Sequence, residues 1–215
     1  SDGILPLSTE WYCKIGFFVS LTICSTLVAG DVQSGAFTFY FARSVRPRDY
    51  VFGKLAGVGI LLSLVMLAGP VLLAGMRLGL SDDFDQLIAT LPIVYKALAI
   101  GGLGTLVFAA VPLGFSALIE NRRYAMALWA AYYLVLGSMA QGIGFITTPA
   151  VAAIDPSAAL KSISLQLFDL HMSGRNLEIP ISAALISILG QAVAAIGLVF
   201  WRVRRAQQTG VGGAS

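Results

Sequence analysis

The run ALAIGGLGTLVFAAVPLGFSALI, from Ala97 to Ile119, contains no charged residue and decides the fold. About 20 consecutive apolar residues cross the ~30 Å hydrocarbon core of a bilayer as an α-helix. Lipid offers the backbone no hydrogen-bond partner, so a spanning segment must satisfy its own N–H and C=O groups, as a helix does. Ala97–Ile119 meets both conditions. Pro112 lies inside the run, where a kink is tolerated if neighbouring helices satisfy the freed carbonyl. The glycines of GGLGT, Gly101–Thr105, fall within the run rather than between a strand and a helix. They predict a close-packing face, not a phosphate-cradling loop.

Four more runs have the same character: Trp11–Ala29, Leu55–Met76, Tyr124–Thr148 and Ile179–Trp201. Lys14 interrupts the first near one end, where its long side chain can snorkel to water, and Pro70 lies inside the second. The 215-residue chain is 57% hydrophobic and 12% charged, with a mean hydropathy of +0.83, whereas soluble domains are about 25% charged. The predicted fold class is therefore all-α, a polytopic membrane protein with five transmembrane helices. One transmembrane domain covers residues 1–205, and the small, polar stretch 206–215 is predicted to be a disordered tail. Trp11, Tyr12, Tyr95 and Trp201 lie at run ends, as interfacial anchors do. Cys13 and Cys24 on one helix would stand about 16 Å apart along its axis, too far to bridge each other. They read as buried apolar side chains.

The 14 Lys and Arg residues divide by helix end. Arg43, Arg46, Arg48, Lys54, Arg122, Arg123, Arg202, Arg204 and Arg205 share one set of ends with Asp31, Asp49 and Glu120. Lys14, Arg77, Lys96, Lys161 and Arg175 share the other set with the remaining acids, including SDDFD at Ser81–Asp85. The two sets, hereafter the basic end and the acidic end, alternate across all five spans. Lys and Arg accumulate on the cytoplasmic side, which predicts a cytoplasmic basic end, an external N-terminus for this chain and an internal C-terminus. An external start ahead of five spans predicts a further helix upstream.

The link between the first two spans holds FYFARSVRPRDYVFGK, Phe39–Lys54. Phe37, Tyr40, Phe41 and Val45 recur at helical spacing, which predicts a short amphipathic helix at the basic end. Pro47 disfavours helix in the residue before it and so ends that element, while Asp49 can cap the next span. Physics leaves two readings. The arginines fix topology by resting on anionic headgroups, or an aromatic ridge with arginines docks a partner.

Asp31, Gly35, Ala36, Arg43, Arg46, Pro47, Arg48, Tyr50, Gly53 and Lys54 form a pattern of acid, Gly and a small residue, a basic turn with proline, Tyr and finally Gly-Lys. This pattern resembles the loop after the second transmembrane helix of ABC-2 type transporter permeases, and the five runs match helices two to six of that six-helix family, without the first. The resemblance implies a permease subunit of an ATP-driven exporter. Its loop would carry a coupling helix that receives motion from a separate ATP-binding subunit, with Phe37, Phe41, Arg43, Arg46, Pro47, Arg48 and Asp49 as the docking surface. It further implies a second permease copy, identical or related, and ATP and Mg held by the partner subunit in the cytoplasmic membrane of a bacterium or archaeon. The chain has no G-x-x-x-x-G-K-[ST] of its own, so no cofactor is expected on it and it is not expected to be an enzyme by itself. Its expected surroundings are the bilayer and these subunits, with no nucleic acid.

Tyr132 and Tyr133, Gln141 and Gln191 are polar groups inside spans. Each needs a partner in hydrocarbon, so they are predicted to bond between helices or to line the pathway. No ionisable residue falls at the middle of a span, which argues against a carboxylate-relay carrier. Gly53, Gly57 and Gly59, and Gly137, Gly142 and Gly144, predict close helix approach. Between Pro149 and Pro180, the stripe Leu160, Ile163, Leu167, Phe168 predicts a short amphipathic helix on or dipping into the outer leaflet. The competing function class is a membrane scaffold or assembly factor. Ser138 with His171 raises an intramembrane hydrolase, but nothing in their spacing brings them together.

Overall fold

A computed structural model of the chain describes residues 4–37, 40, 46–79, 84–170 and 178–208. Helix α1 (Ile4–Val19) passes through a π-helical turn, Ser20–Cys24, into α2 (Ser25–Gln33), and together they make the first span. The second and third spans lie in α3 (Pro47–Gly79) and α4 (Phe84–Leu118). The fourth comprises α5 (Arg122–Ala130), a second π-helical turn at Ala131–Leu136 and α6 (Gly137–Ile146). A 3-10 segment, Pro149–Ile154, leads into α7 (Pro156–Leu167), and α8 (Ile181–Gln208) is the last span. Five helical segments are long and apolar enough to cross a membrane, and no strand occurs among the described residues. The chain is an all-α, multi-pass membrane protein.

The helices outrun the apolar runs that announce them. With 33 and 35 residues, α3 and α4 are each about 50 Å long at 1.5 Å per residue, well beyond the ~30 Å of hydrocarbon. Most of the stretch from Arg77 to Lys96, which reads as a connection, is therefore helix. Likewise α8 continues to Gln208, so residues 206–208 are helical rather than tail, and the rest of the tail lies outside the described residues. Outside hydrocarbon a helix stops where capping and turn chemistry stop it, not where hydropathy falls. Asn121 illustrates this: its side-chain oxygen accepts from Arg123 N–H at 2.9 Å and opens α5.

Helix α4 is the hub. It packs along α3 and along α8, and it touches α2, α5 and α7. Of its apolar window 61% is buried, against 17% for the fourth span, so most of the fourth span's surface is left for lipid or another chain. The α4–α8 contact closes at Gly114. A Cβ there would stand 2.8 Å from Ala195 Cβ and 2.9 Å from Ala195 Cα, which belongs to backbone and cannot swing away. Gly114→Ala is expected to cost about 1–2 kcal/mol through overpacking. The control Gly102→Ala, on open space of the same helix, should be neutral or slightly stabilising. Thermal unfolding midpoints in detergent micelles compare the two; equal midpoints would contradict the close approach.

The glycine expectation holds in part. Gly137 packs against Asp155, but Gly53, Gly57, Gly59 and Gly142 meet nothing within 4 Å. Within this chain α3 turns Gly53, Gly57 and Gly59 away from the other helices, meets Tyr12 of α1 at Gly69, and packs through Val51, Val58, Leu62 and Met66. Both cysteines are buried and free.

Candidate functional site

The first two spans meet at an elbow at the basic end. Helix α2 stops at Gln33, and Gly35 then adopts φ +66°, a left-handed conformation that L side chains rarely take. Ser34 N–H donates to Gly30 O at 3.0 Å and Gly35 N–H to Val32 O at 3.2 Å, closing the helix end. The chain re-enters helix at Ala36 and Phe37. Asp31, in the last turn of α2, is the fastener. Its Oδ2 accepts from the Tyr50 hydroxyl at 2.6 Å and pairs with Lys54 Nζ at 2.8 Å. The Asp31 and Lys54 side chains are only 16% and 21% exposed. Partial burial strengthens the Coulombic attraction of such a pair over an exposed one. Phe37 and Tyr40 pack on Tyr50 at 5.3 and 5.6 Å between ring centroids. Lys54 also lies 5.6 Å from the Tyr50 ring.

Other basic residues tie this end of the bundle together. The Arg122 guanidinium fills the space a side chain at Gly30 would need, near the C-terminus of α2 where carbonyl partial charge favours a cation. Arg202 of α8 pairs with Glu120 at 2.7 Å. Arg46 and Arg48, by contrast, are exposed, and Arg48 pairs with its neighbour Asp49 at 4.0 Å.

The candidate docking residues therefore divide. Phe37 is buried in the core and anchors the segment, its ring and that of Tyr40 packing on Tyr50. Pro47 is the first residue of α3, where its missing N–H is harmless. Asp49 lies within the first turn of α3, and the Arg46 carbonyl accepts from Asp49 N–H at 2.9 Å, so Asp49 complements the helix dipole instead of capping it. Phe41 and Arg43, with most of the expected amphipathic helix, lie outside the described residues, as does His171. Ser138 donates to the Leu134 carbonyl of its own helix at 2.6 Å.

The polar residues of the spans meet towards the acidic end. The Tyr132 hydroxyl stands 2.8 Å from Gln191 Oε1 and 3.0 Å from Ile154 O, sharing one proton between them. Gln191 Nε2 donates to Ile154 O at 3.0 Å and Ser187 Oγ at 2.8 Å, and Ser187 donates to Ala153 O at 2.6 Å. Together they clamp the 3-10 segment between the fourth and fifth spans. Gln141 donates to Asp155, whose Oδ1 accepts from Ser157 N–H at 3.0 Å and Ser157 Oγ at 2.8 Å. Asp155 is 3% exposed. It stands beside Gly137, about 14 Å along α6 from Ile146. The absence of ionisable residues at the middle of the spans is thus only a property of the spans: a carboxylate enters the bundle from the connecting segment. Its helix α7 packs against α1, α4 and α8, with Leu160 and Ile163 buried, so it sits among the spans rather than flat on a surface.

Tyr133 belongs to an aromatic cluster between the first, third and fourth spans. It stacks on Phe17 at 4.2 Å and 12°, and Phe108 meets Trp129 edge-on at 6.1 Å and 84°. Trp129 is fully buried and donates from Nε1 to Ser20 Oγ at 3.0 Å, joining the first π-helical turn to the fourth span.

No family model, characterised protein or solved structure matches the chain. Its function is therefore argued from its own residues.

Sequence reasoning missed Asp155, Trp129 and Ser20. Asp155 did carry a signal, since Asp before Pro is the N-cap and N1 pair of a helix. Nothing in the sequence marks the two π-helical turns.

Proposed function

We propose that this chain is the membrane-spanning permease subunit of an ATP-driven exporter of ABC-2 type, lying in the cytoplasmic membrane of a bacterium or archaeon with its basic end inside. A separate ATP-binding subunit, holding ATP and Mg, docks at that end, and two permease copies meet around the pathway. The observation that carries the reading is the elbow. Asp31, Gly35, Tyr50 and Lys54 belong to the pattern that resembles the ABC-2 loop; Asp31, Tyr50 and Lys54 converge on one fastener, and Gly35 turns the chain beside it. A coupling segment needs such a fastener, because a push transmits to the spans only through a stiff joint. Exposed Arg46 and Arg48 beside it supply charge for acidic groups on a partner.

In the reconstituted complex, Arg46→Glu with Arg48→Glu should cut permease-dependent ATP hydrolysis at least tenfold, the scale on which truncating interfacial charge pairs weakens complexes. The unfolding midpoint of the chain should not move, because both side chains are exposed. Hydrolysis at the wild-type rate would remove the docking role.

A further inference from the structure

At the acidic end a cavity of about 160 Å³ opens between α1, α6 and α7, with Glu10, Gln141, Ser157 and Lys161 as its polar wall and Phe145 and Leu165 among its apolar lining. Lys161 Nζ lies 3.2 Å from Glu10 Oε2, and Lys14 Nζ lies 3.2 Å from Glu10 Oε1. Phe145 and the neighbouring Ile146 are 60% and 85% exposed, so the polar wall adjoins a greasy exposed surface.

We infer that this cavity binds the zwitterionic headgroup of an amphiphile, its phosphate on Lys161 and its ammonium on Glu10, with the acyl chains over Phe145 and Ile146. The charges select the class. Lys14 holds Glu10 from outside the lining and leaves the Glu10–Lys161–Lys14 cluster with one positive charge in excess, so a phosphate is admitted, and an ammonium joined to it by a short linker takes the acceptor sites left on Glu10. Each wall residue has capacity left, because an ammonium has three donors and a carboxylate about four acceptor sites. Asp155, the other nearby carboxylate, is shielded by Ser157 and Gln141 and is 3% exposed, so it does not compete for the ammonium. The volume is on the scale of a small headgroup and below the ~300 Å³ of drug-sized pockets. The inference does not rest on ATP-driven transport, since it concerns binding to this chain alone.

The test is native mass spectrometry of the full chain in detergent, titrated with short-chain phosphatidylethanolamine, with phosphatidylglycerol, which lacks the amine, and with free phosphoethanolamine. The wild type should retain one phosphatidylethanolamine with at least a tenfold preference over phosphatidylglycerol. Glu10→Gln should lose that preference, and Lys161→Gln should weaken retention of both lipids at least tenfold. Ala158→Phe, which fills the cavity from its wall and leaves the ion pairs in place, should lose retention while keeping the unfolding midpoint, so the answer does not depend on how the charge variants fold. Equal retention of both lipids by the wild type, or an unchanged preference in Ala158→Phe, overturns the proposal. Free phosphoethanolamine binding as tightly as the lipid overturns the amphiphile and assigns the cavity to a soluble zwitterion.

Discussion

Trp129→Ala lowers the stability of the bundle by about 3 kcal/mol, at the low end of the range for large aromatic truncations. Trp129 is fully buried, pairs with Phe17, Phe108, Phe115, Tyr132 and Tyr133, and bonds Ser20 across 109 residues of sequence. The low end applies because lipid tails are as apolar as a helix interface, so little transfer energy is lost and the cavity term dominates. The Ser20 hydroxyl is not orphaned, since it still donates to the Phe17 carbonyl at 2.9 Å. Trp129→Phe keeps most of the volume and loses only the hydrogen bond, so it should cost about 1 kcal/mol. Unfolding of both variants in mixed micelles measures the difference. A loss below 1 kcal/mol for the alanine variant would show that the aromatic cluster does not join the first span to the fourth.

Asp31→Ala is expected to cost about 2–3 kcal/mol, less than the 3–5 kcal/mol of a fully buried broken pair because some solvent reaches both groups. It leaves the Lys54 ammonium and the Tyr50 hydroxyl without their acceptor at 2.8 and 2.6 Å, in a site where Tyr50 is 6% exposed. Tyr50→Phe removes one hydrogen bond and keeps the ring contacts with Phe37 and Tyr40, so about 1 kcal/mol is lost. The larger effect of Asp31→Ala should be local. Hydrogen exchange should accelerate in residues 31–54, while amides of α8 stay protected. Uniform acceleration along the chain would mean that the elbow is not a separate joint.

The five spans were legible because hydrocarbon imposes one rule on every crossing segment, and Ala97–Ile119 or Ile179–Trp201 satisfies it on sight. Helix ends were not, since α3 already begins at Pro47 and α8 is still helical at Gln208, both outside the apolar runs. The elbow was half legible. Its residues stood out as a pattern, but the convergence of Asp31, Tyr50 and Lys54 depends on how Gly35 turns the chain, which no periodicity reports. Phe37 shows the limit of an amphipathic stripe: spacing identifies an apolar face and does not say whether that face meets a partner or its own core. Asp155 shows the complementary limit. Its cap signal is local, and its depth among the spans follows from the packing of α7, which is set by residues far away in sequence.

The central claim is that the basic end is a dock for an ATP-binding subunit. Gentle detergent extraction of the chain from its native membrane, followed by mass spectrometry of what accompanies it, tests this most directly. A P-loop ATPase in near-equal amount, lost on reversing Arg46 and Arg48, is the predicted result. Recovery of the intact chain without an ATPase would contradict the claim and leave the arginines as a topology signal on a membrane scaffold.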